Sequence, residues 1–174
     1  RTRVDTPIAI MNATVTNPMD KPVVDATLNA DGIAAADQVK GASARITAKG
    51  PLDALALTIG ANAAAAAGAP AKLNTAGVLN VTDRRLALKT LEASWKQQVL
   101  HLLGPTNIAF ANGVSVEQLR LGFRQAVLSL SGSLNDRLDL TATLRDLPAD
   151  IGTIVDQSYA AEGVISAEAR ITGT

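Results

Sequence analysis

Residues 128–151 read LSLSGSLNDRLDLTATLRDLPADI. Leu128, Leu130 and Leu134 lead through the turn signal Asn135-Asp136-Arg137 to Leu138, Leu140, Ala142 and Leu144. Ser129, Asp139, Thr141, Thr143 and Arg145 stand between them, so apolar and polar residues alternate on either side of the turn. Successive side chains of a strand point to opposite faces, and this alternation therefore gives one dry face and one wet face. The segment reads as an antiparallel hairpin, the arrangement in which one sheet face can stay solvated.

The same period extends in both directions. Upstream, Leu119, Leu121 and Phe123 alternate with Arg120 and Arg124, and Leu86 and Leu88 follow the turn at residues 82–85. Nearer the start, Val24, Ala26, Leu28 and Ala30 oppose Asp25, Thr27, Asn29 and Asp31. Ala42, Ala44, Ile46 and Ala48 form the next run, Gly50 and Pro51 break it, and Leu55, Leu57 and Ile59 resume it. Downstream, Ile165, Ala167, Ala169 and Ile171 alternate with Ser166, Glu168, Arg170 and Thr172. The expected fold is mainly β, an elongated antiparallel sheet. One short amphipathic helix is expected near 147–157, because Leu147, Ile151, Ile154 and Val155 fall at helical spacing behind Pro148. Residues 93–103 suit either a helix or a strand buried on both faces, and the strand is preferred. The uncharged stretch 54–71 reads as a strand followed by an alanine-rich loop. The strand-turn-strand units resemble one another, which suggests one slice of a longer β-repeat array with possible sub-units 1–72 and 73–174.

Composition narrows the function. The 174 residues carry 16 basic and 16 acidic side chains, so no cationic excess is present to neutralise a phosphate backbone, and nucleic acid is not an expected partner. There is no cysteine, which excludes disulfides and thiolate sites but leaves the compartment open. The aromatics are only Trp95, Phe110, Phe123 and Tyr159, while alanine supplies much of the apolar fraction. Aromatic rings bury about 150–250 Å² each, and a core without them is thin or spread out. No stretch is long and apolar enough to be read as a membrane helix, and the start lacks the regions of a signal peptide, which points to an internal fragment.

A catalytic reading finds little to build on. His101 is the one histidine and sits in an apolar run, where packing is the ordinary role and no further metal ligands accompany it. No serine occupies a G-x-S-x-G elbow, no glycine pattern cradles phosphate, and the acidic residues alternate along wet strand faces. Trp95 followed by Lys96 invites a cation–π contact, yet a single tryptophan is ordinarily a packing or rim residue. A non-catalytic protein without cofactor or metal is expected.

Three phrases carry a family likeness: FANGVSVEQLRLGF at 110–123 with its Asn112-Gly113 turn, the opening segment at 128–151, and AAEGVISAEARITGT at 160–174. Together they resemble the TamB family of the translocation and assembly module, within the AsmA-like, repeating β-groove superfamily. The resemblance covers about residues 73–174, and the first seventy residues match in style. It implies a half-folded sheet, or β-taco, with an apolar concave face and a wet convex face. It further implies a periplasmic location, with attachment to the inner membrane through an N-terminal anchor outside these residues. The implied partners are phospholipid acyl chains, adjoining β-repeats of the same chain, and a TamA-type outer-membrane barrel met by the full-length protein. The implied work is phospholipid transport between the two membranes and support of outer-membrane protein assembly, including autotransporter secretion.

On that resemblance the lipid-facing residues would be Leu28, Leu55, Leu57, Ile59, Leu86, Leu88, Leu119, Leu121, Phe123, Leu128, Leu130, Leu138, Leu140, Leu144, Ile165 and Ile171. Strands of eight or nine residues span about 26–30 Å, and small side chains between the aliphatic ones would keep such a gutter open. The competing expectation is a closed β-repeat, a structural or adhesin-type segment of a secreted protein, in which side chains fill the apolar face. Both terminal segments are strand-like, so unpaired edges are expected.

Overall fold

The computed structural model describes residues 8–35, 39–155, 158 and 161–173. Its strands are β1 (Ile8–Thr16), β2 (Val23–Ala35), β3 (Val39–Pro51), β4 (Leu55–Ala66), β5 (Ala69–Asn80) and β6 (Arg85–Trp95). They continue with β7 (Gln98–Leu102), β8 (Thr106–Ala109), β9 (Val114–Phe123), β10 (Ala126–Leu134), β11 (Leu138–Pro148) and β12 (Val164–Gly173). All twelve belong to one sheet, every pairing is antiparallel, and strands follow one another in chain order. The exception to simple succession is that β7 and β8 share one position between β6 and β9, separated by residues 103–105.

Local chemistry explains the meander. Ala67-Gly68 and Lys96-Gln97 each connect two strands with both residues at positive φ, the mirror-image turn whose twist matches that of the strands it joins. Irregularities interrupt several ladders, those of β2–β3 and β4–β5 among them, and three lie in the second half of the sheet. Lys89 is an extra residue between the Leu88–Gly77 and Thr90–Ala76 pairs, Glu117 and Gln118 face a single Ser131, and Arg145 and Asp146 face Ser166 alone. Such bulges bend a strand and increase its local twist. Glycine makes room at two of these levels. A Cβ on Gly77 would stand 2.7 Å from the Ala87 carbonyl oxygen, and one on Gly132 would stand 2.8 Å from the Leu140 Cα and press on the Asp139 carbonyl.

The sheet is a single layer. Its accessible surface is 11894 Å², whereas a compact globule of 17.9 kDa exposes about 8,000 Å². Among the described residues only Leu55 and Ala126 are buried hydrophobic side chains, and no side chain is fully enclosed. The outer strands β1 and β12 are exposed along their whole length.

Three local expectations need correction. The helix expected near 147–157 is reduced to a 3-10 turn at Ala149–Ile151 and one helical turn, α1 (Gly152–Val155), with 156–157 outside the described residues. Leu147 and Pro148 instead pair with Ile165 and Val164 at the end of β11. Pro148 has ψ 131, an extended conformation, and so short a helical segment gains too few backbone bonds to offset its nucleation. Within 54–71 the expected strand is present, but the alanine-rich loop expected after it shrinks to the Ala67-Gly68 turn: β4 runs to Ala66, and β5 starts at Ala69. The 93–103 segment is strand, turn and strand, but it is not buried on both faces, since Val99 is 44% exposed while Leu100 and Leu102 are half-buried. Residues 72 and 73 lie inside β5 and pair with Asn62 and Ala61 of β4.

Gly132 has φ +142, where an L side chain is strained, and its Cβ would meet backbone that belongs to the neighbouring ladder. Gly132→Ala should therefore lower stability by about 2–4 kcal/mol, read as a fall in the urea midpoint. An unchanged midpoint would show that the β10–β11 ladder yields freely at this level.

Candidate functional site

Residues directly opposite across an antiparallel ladder project from the same face, so the register transmits one face from strand to strand. Leu28 opposes Ile46, and Ile46 opposes Ile59, with Leu57 two residues along. Leu55 opposes Leu79, which opposes Leu86, and Leu88 opposes Gly77. The face crosses to β9 twice, through Ala93, Leu100 and Phe123 and through Leu86, Ile108 and Val116. Leu121 then opposes Leu128, which opposes Leu144, and Leu119 opposes Leu130. Leu138 lies opposite Leu134, Leu140 opposite Ile171, and Ile165 opposite Leu147. Every residue expected to line a groove is thus on one face. Most are half-buried, but Ile165 and Ile171 are 46% and 50% exposed because β12 has no neighbour beyond it.

The register adds residues that alternation alone did not assign to the groove: Leu73, Leu91, Trp95, Leu100, Leu102, Ile108 and Val116. Their signal was a skip of three in an otherwise two-residue rhythm. Leu88 to Leu91, Val116 to Leu119 and Leu144 to Leu147 each step across a bulge and land on the same face. Polar residues intrude as well: Thr75, between Ile59 and Leu91, donates its hydroxyl to the Thr90 carbonyl, and Thr106 is 5% exposed, opposes Leu88, and has a hydroxyl with no protein partner.

The two ends of this face differ. At one end Ala71, Ala93, Trp95, Leu100, Phe123 and Ile151 line a cavity of about 390 Å³, bordered also by Lys72, Ser94 and Gln98. The cavity spans β5 to β9. Trp95 is held by its indole Nε1, which donates to the Ala66 carbonyl at 2.6 Å, and the Lys96 ammonium lies 4.5 Å from the ring centroid. Ile151 is brought over the cavity by the turn after β11. Arg124 fixes that turn: its Nη1 donates to both oxygens of Asp150 at 2.9 and 3.1 Å, and its Nε donates to Gln98 Oε1 at 2.8 Å. The guanidinium also lies 5.5 Å from the Phe123 ring centroid. At the opposite end Val81, Phe110, Val114 and Leu134 are 38–53% exposed.

The other face is mostly polar, although Ile8, Ile10 and Val99 are exposed on it, and several of its polar groups pair across the ladders. Asp25 meets Lys49 at 3.6 Å, Thr47 and Thr58 share a hydroxyl hydrogen bond, Ser43 donates to Asn62 at 3.1 Å, and Asp139 meets Arg170. His101 is on this face, opposite Glu92 and Gly122. Among the described residues no group of three or more His, Cys, Asp or Glu is placed to hold a metal ion. No helix of the described residues is long and apolar enough to cross a membrane.

Compared with the models of known protein families, with curated proteins and with solved structures, the chain finds no match in any of the three.

Arg170 clamps the exposed edge strand to β11, with Nε donating to Asp139 Oδ1 at 3.0 Å and Nη2 to Oδ2 at 2.9 Å. These hydrogen bonds, helped by the guanidinium charge and opposed by desolvation, hold the Asp139 carboxyl below its ordinary range, and the Arg170 pKa is raised in return. A depressed folded-state carboxyl pKa gives stability that is present above the unfolded value and lost as pH falls through the folded one. The Arg170 Nε–H resonance should therefore keep its paired shift down to pH values below 3.8 and then collapse, while Asp139→Asn should remove the transition. A midpoint at or above 3.8 in the unaltered protein would mean that the clamp does not form.

Proposed function

We propose that this chain is a non-catalytic segment of a TamB-like protein, and that its apolar face conducts phospholipid acyl chains through the periplasm. The observation that carries this reading is the single, continuous apolar face that no second layer of the described protein covers. Apolar surface left in water costs about 25 cal/mol per Å², so a face of this extent calls for an apolar cover. Hydrocarbon suits it, since the exposed part is aliphatic and small, runs across the strands without a charged barrier, and is backed by a mostly polar face, several of whose groups pair with each other. A slide of this kind requires continuity of apolar surface and no reacting group. The exposed edges of β1 and β12 favour adjoining β-repeats as lateral partners, by strand addition. Work with a TamA-type barrel would belong to the full-length protein.

Photoactivatable residues at Leu57, Leu121 or Leu140 should capture phospholipid, whereas one at Thr141, on the polar face, should not. Capture from Thr141 alone would overturn the groove assignment. Because Leu130 is only half-buried, Leu130→Asp should reduce stability by no more than about 1–2 kcal/mol while abolishing lipid capture at Leu121. Outright unfolding of that variant would favour the closed structural repeat, in which a buried unpaired charge is far more costly.

A further inference from the structure

We infer that two copies of this chain join edge to edge through β12, antiparallel, with Ala169 of each on a two-fold axis and Glu168 of each against Arg170 of the other. The reading above leaves the neighbour at this edge as any adjoining β-repeat, and the inference stands apart from what the apolar face carries.

β12 is exposed along its whole length and has β11 as its one neighbour among the described strands. An unpaired edge presents a row of free backbone N–H and C=O groups, a template for a further strand, unless proline, a bulge or inward-pointing charge blunts it. β12 contains no proline, the bulge in its ladder lies on β11 at Arg145 and Asp146, and its charged residues, Glu168 and Arg170, are on the polar face. The edge is open to pairing.

The ladder restricts how. β11 takes the backbone groups of alternate residues of β12, and the other alternate set faces outward. Outward residues pair only with outward residues, so an antiparallel contact between two β12 strands sets even-numbered positions opposite even-numbered ones, which also aligns the two apolar faces. Two registers of this kind leave only one end residue of each strand unpaired, one centred on Glu168 and one on Ala169. The first sets Glu168 directly against its own copy. The second sets Glu168 against Arg170 twice, once on each side of the axis, with Ala167 against Ile171 on the apolar face and Ser166 against Thr172 on the polar one. Like charges directly opposite destabilise a ladder and opposite charges support it, so the second register wins.

Both charges are available for this contact. Glu168 stands opposite Thr143 on β11 and has no ion-pair or hydrogen-bond partner among the described residues. Arg170 spends Nε and Nη2 on Asp139, but a guanidinium carries five N–H donors, and this side chain is 67% exposed. Asp139, Arg170 and Glu168 of the other copy would then form one charged row across the seam. β1, the other exposed edge, carries no charged side chain, so nothing on it selects a register in this way.

The chain has no cysteine, so a single introduced one reports on the seam without background. Residues directly opposite across a ladder have Cβ atoms about 4.5–5.5 Å apart, close to the separation that a disulfide spans. In the otherwise unaltered chain, free of detergent, Ala169→Cys should give a disulfide-linked dimer under mild oxidation, and Ala167→Cys, which faces Ile171, should not. Sedimentation should show a dimer of the unaltered chain that weakens with added salt. Glu168→Arg should raise its dissociation constant at least about tenfold, with far-UV circular dichroism unchanged, because like charges then meet twice. Glu168→Arg combined with Arg170→Glu should recover the dimer. A chain that sediments as a monomer at every concentration overturns the inference and leaves the conducting groove standing. Equal linkage from positions 167 and 169 shows contact without a fixed register, and a dimer indifferent to Glu168→Arg shows pairing elsewhere; either result overturns it as well.

Discussion

The period of two in a β-strand, carried from rung to rung by an antiparallel ladder, is the constraint on which everything else in this molecule depends. Each Cα pair hands its facing to the next strand, so the sidedness of Leu28 on β2 determines that of Ile171 on β12 through a chain of pairings. A slip of one residue anywhere would turn a whole strand's apolar set to the wrong side. Three of the bulges put that phase under local control. Each inserts a residue and the sequence answers by moving the next leucine or isoleucine one place along, so the strand bends while its dry side stays dry.

Holding one layer without a core is the energetic counterpart. With few enclosed side chains, cohesion falls on the backbone ladder and on cross-strand pairs, each of which contributes about 0.2–1 kcal/mol. The polar face shows what such pairing looks like in practice, with threonine on threonine, serine on asparagine and aspartate on arginine. The tight turns serve the same end, since loops this short leave little chain to order. Even the strained Lys96-Gln97 turn fits this scheme, because it brings Trp95 and Gln98 together at the cavity.

Alternation made the antiparallel sheet readable, and the strict runs around Leu28, Leu57, Leu130 and Leu140 disclosed both their strands and their facing. Reading faltered where a rule of period two met a bulge. Leu91, Trp95 and Val116 share the groove face but are out of phase with their neighbours, and only the three-residue skip betrays them. The helical spacing of Leu147, Ile151 and Val155 misled for a related reason: Leu147 follows a bulge and completes a strand, and the coincidence of spacing mimics a helix. The alanine run from Ala63 to Ala67 has no alternation to read, since small residues occupy both faces, and its strand character comes from the partners on β3 and β5. The meeting of Arg124 with Asp150 was not legible at all, because the two are far apart in sequence.

The free edges have a geometric consequence of their own. Twelve strands with β7 and β8 sharing one position leave an odd number of rungs, so β1 and β12 point the same way. Two identical molecules placed side by side in the same orientation, apolar faces aligned, would bring β12 of one against β1 of the other as parallel strands, the slightly weaker pairing. Rotating one molecule by a half-turn about the sheet normal makes the contact antiparallel, but then like meets like, β12 against β12 or β1 against β1. Such a two-fold contact places the Ile151 turn of one sheet on the same rim as Phe110 and Val114 of the other. Edge association between copies would therefore set neighbouring grooves in opposite senses, whereas a continuous one-way channel requires the parallel contact or a different strand as neighbour.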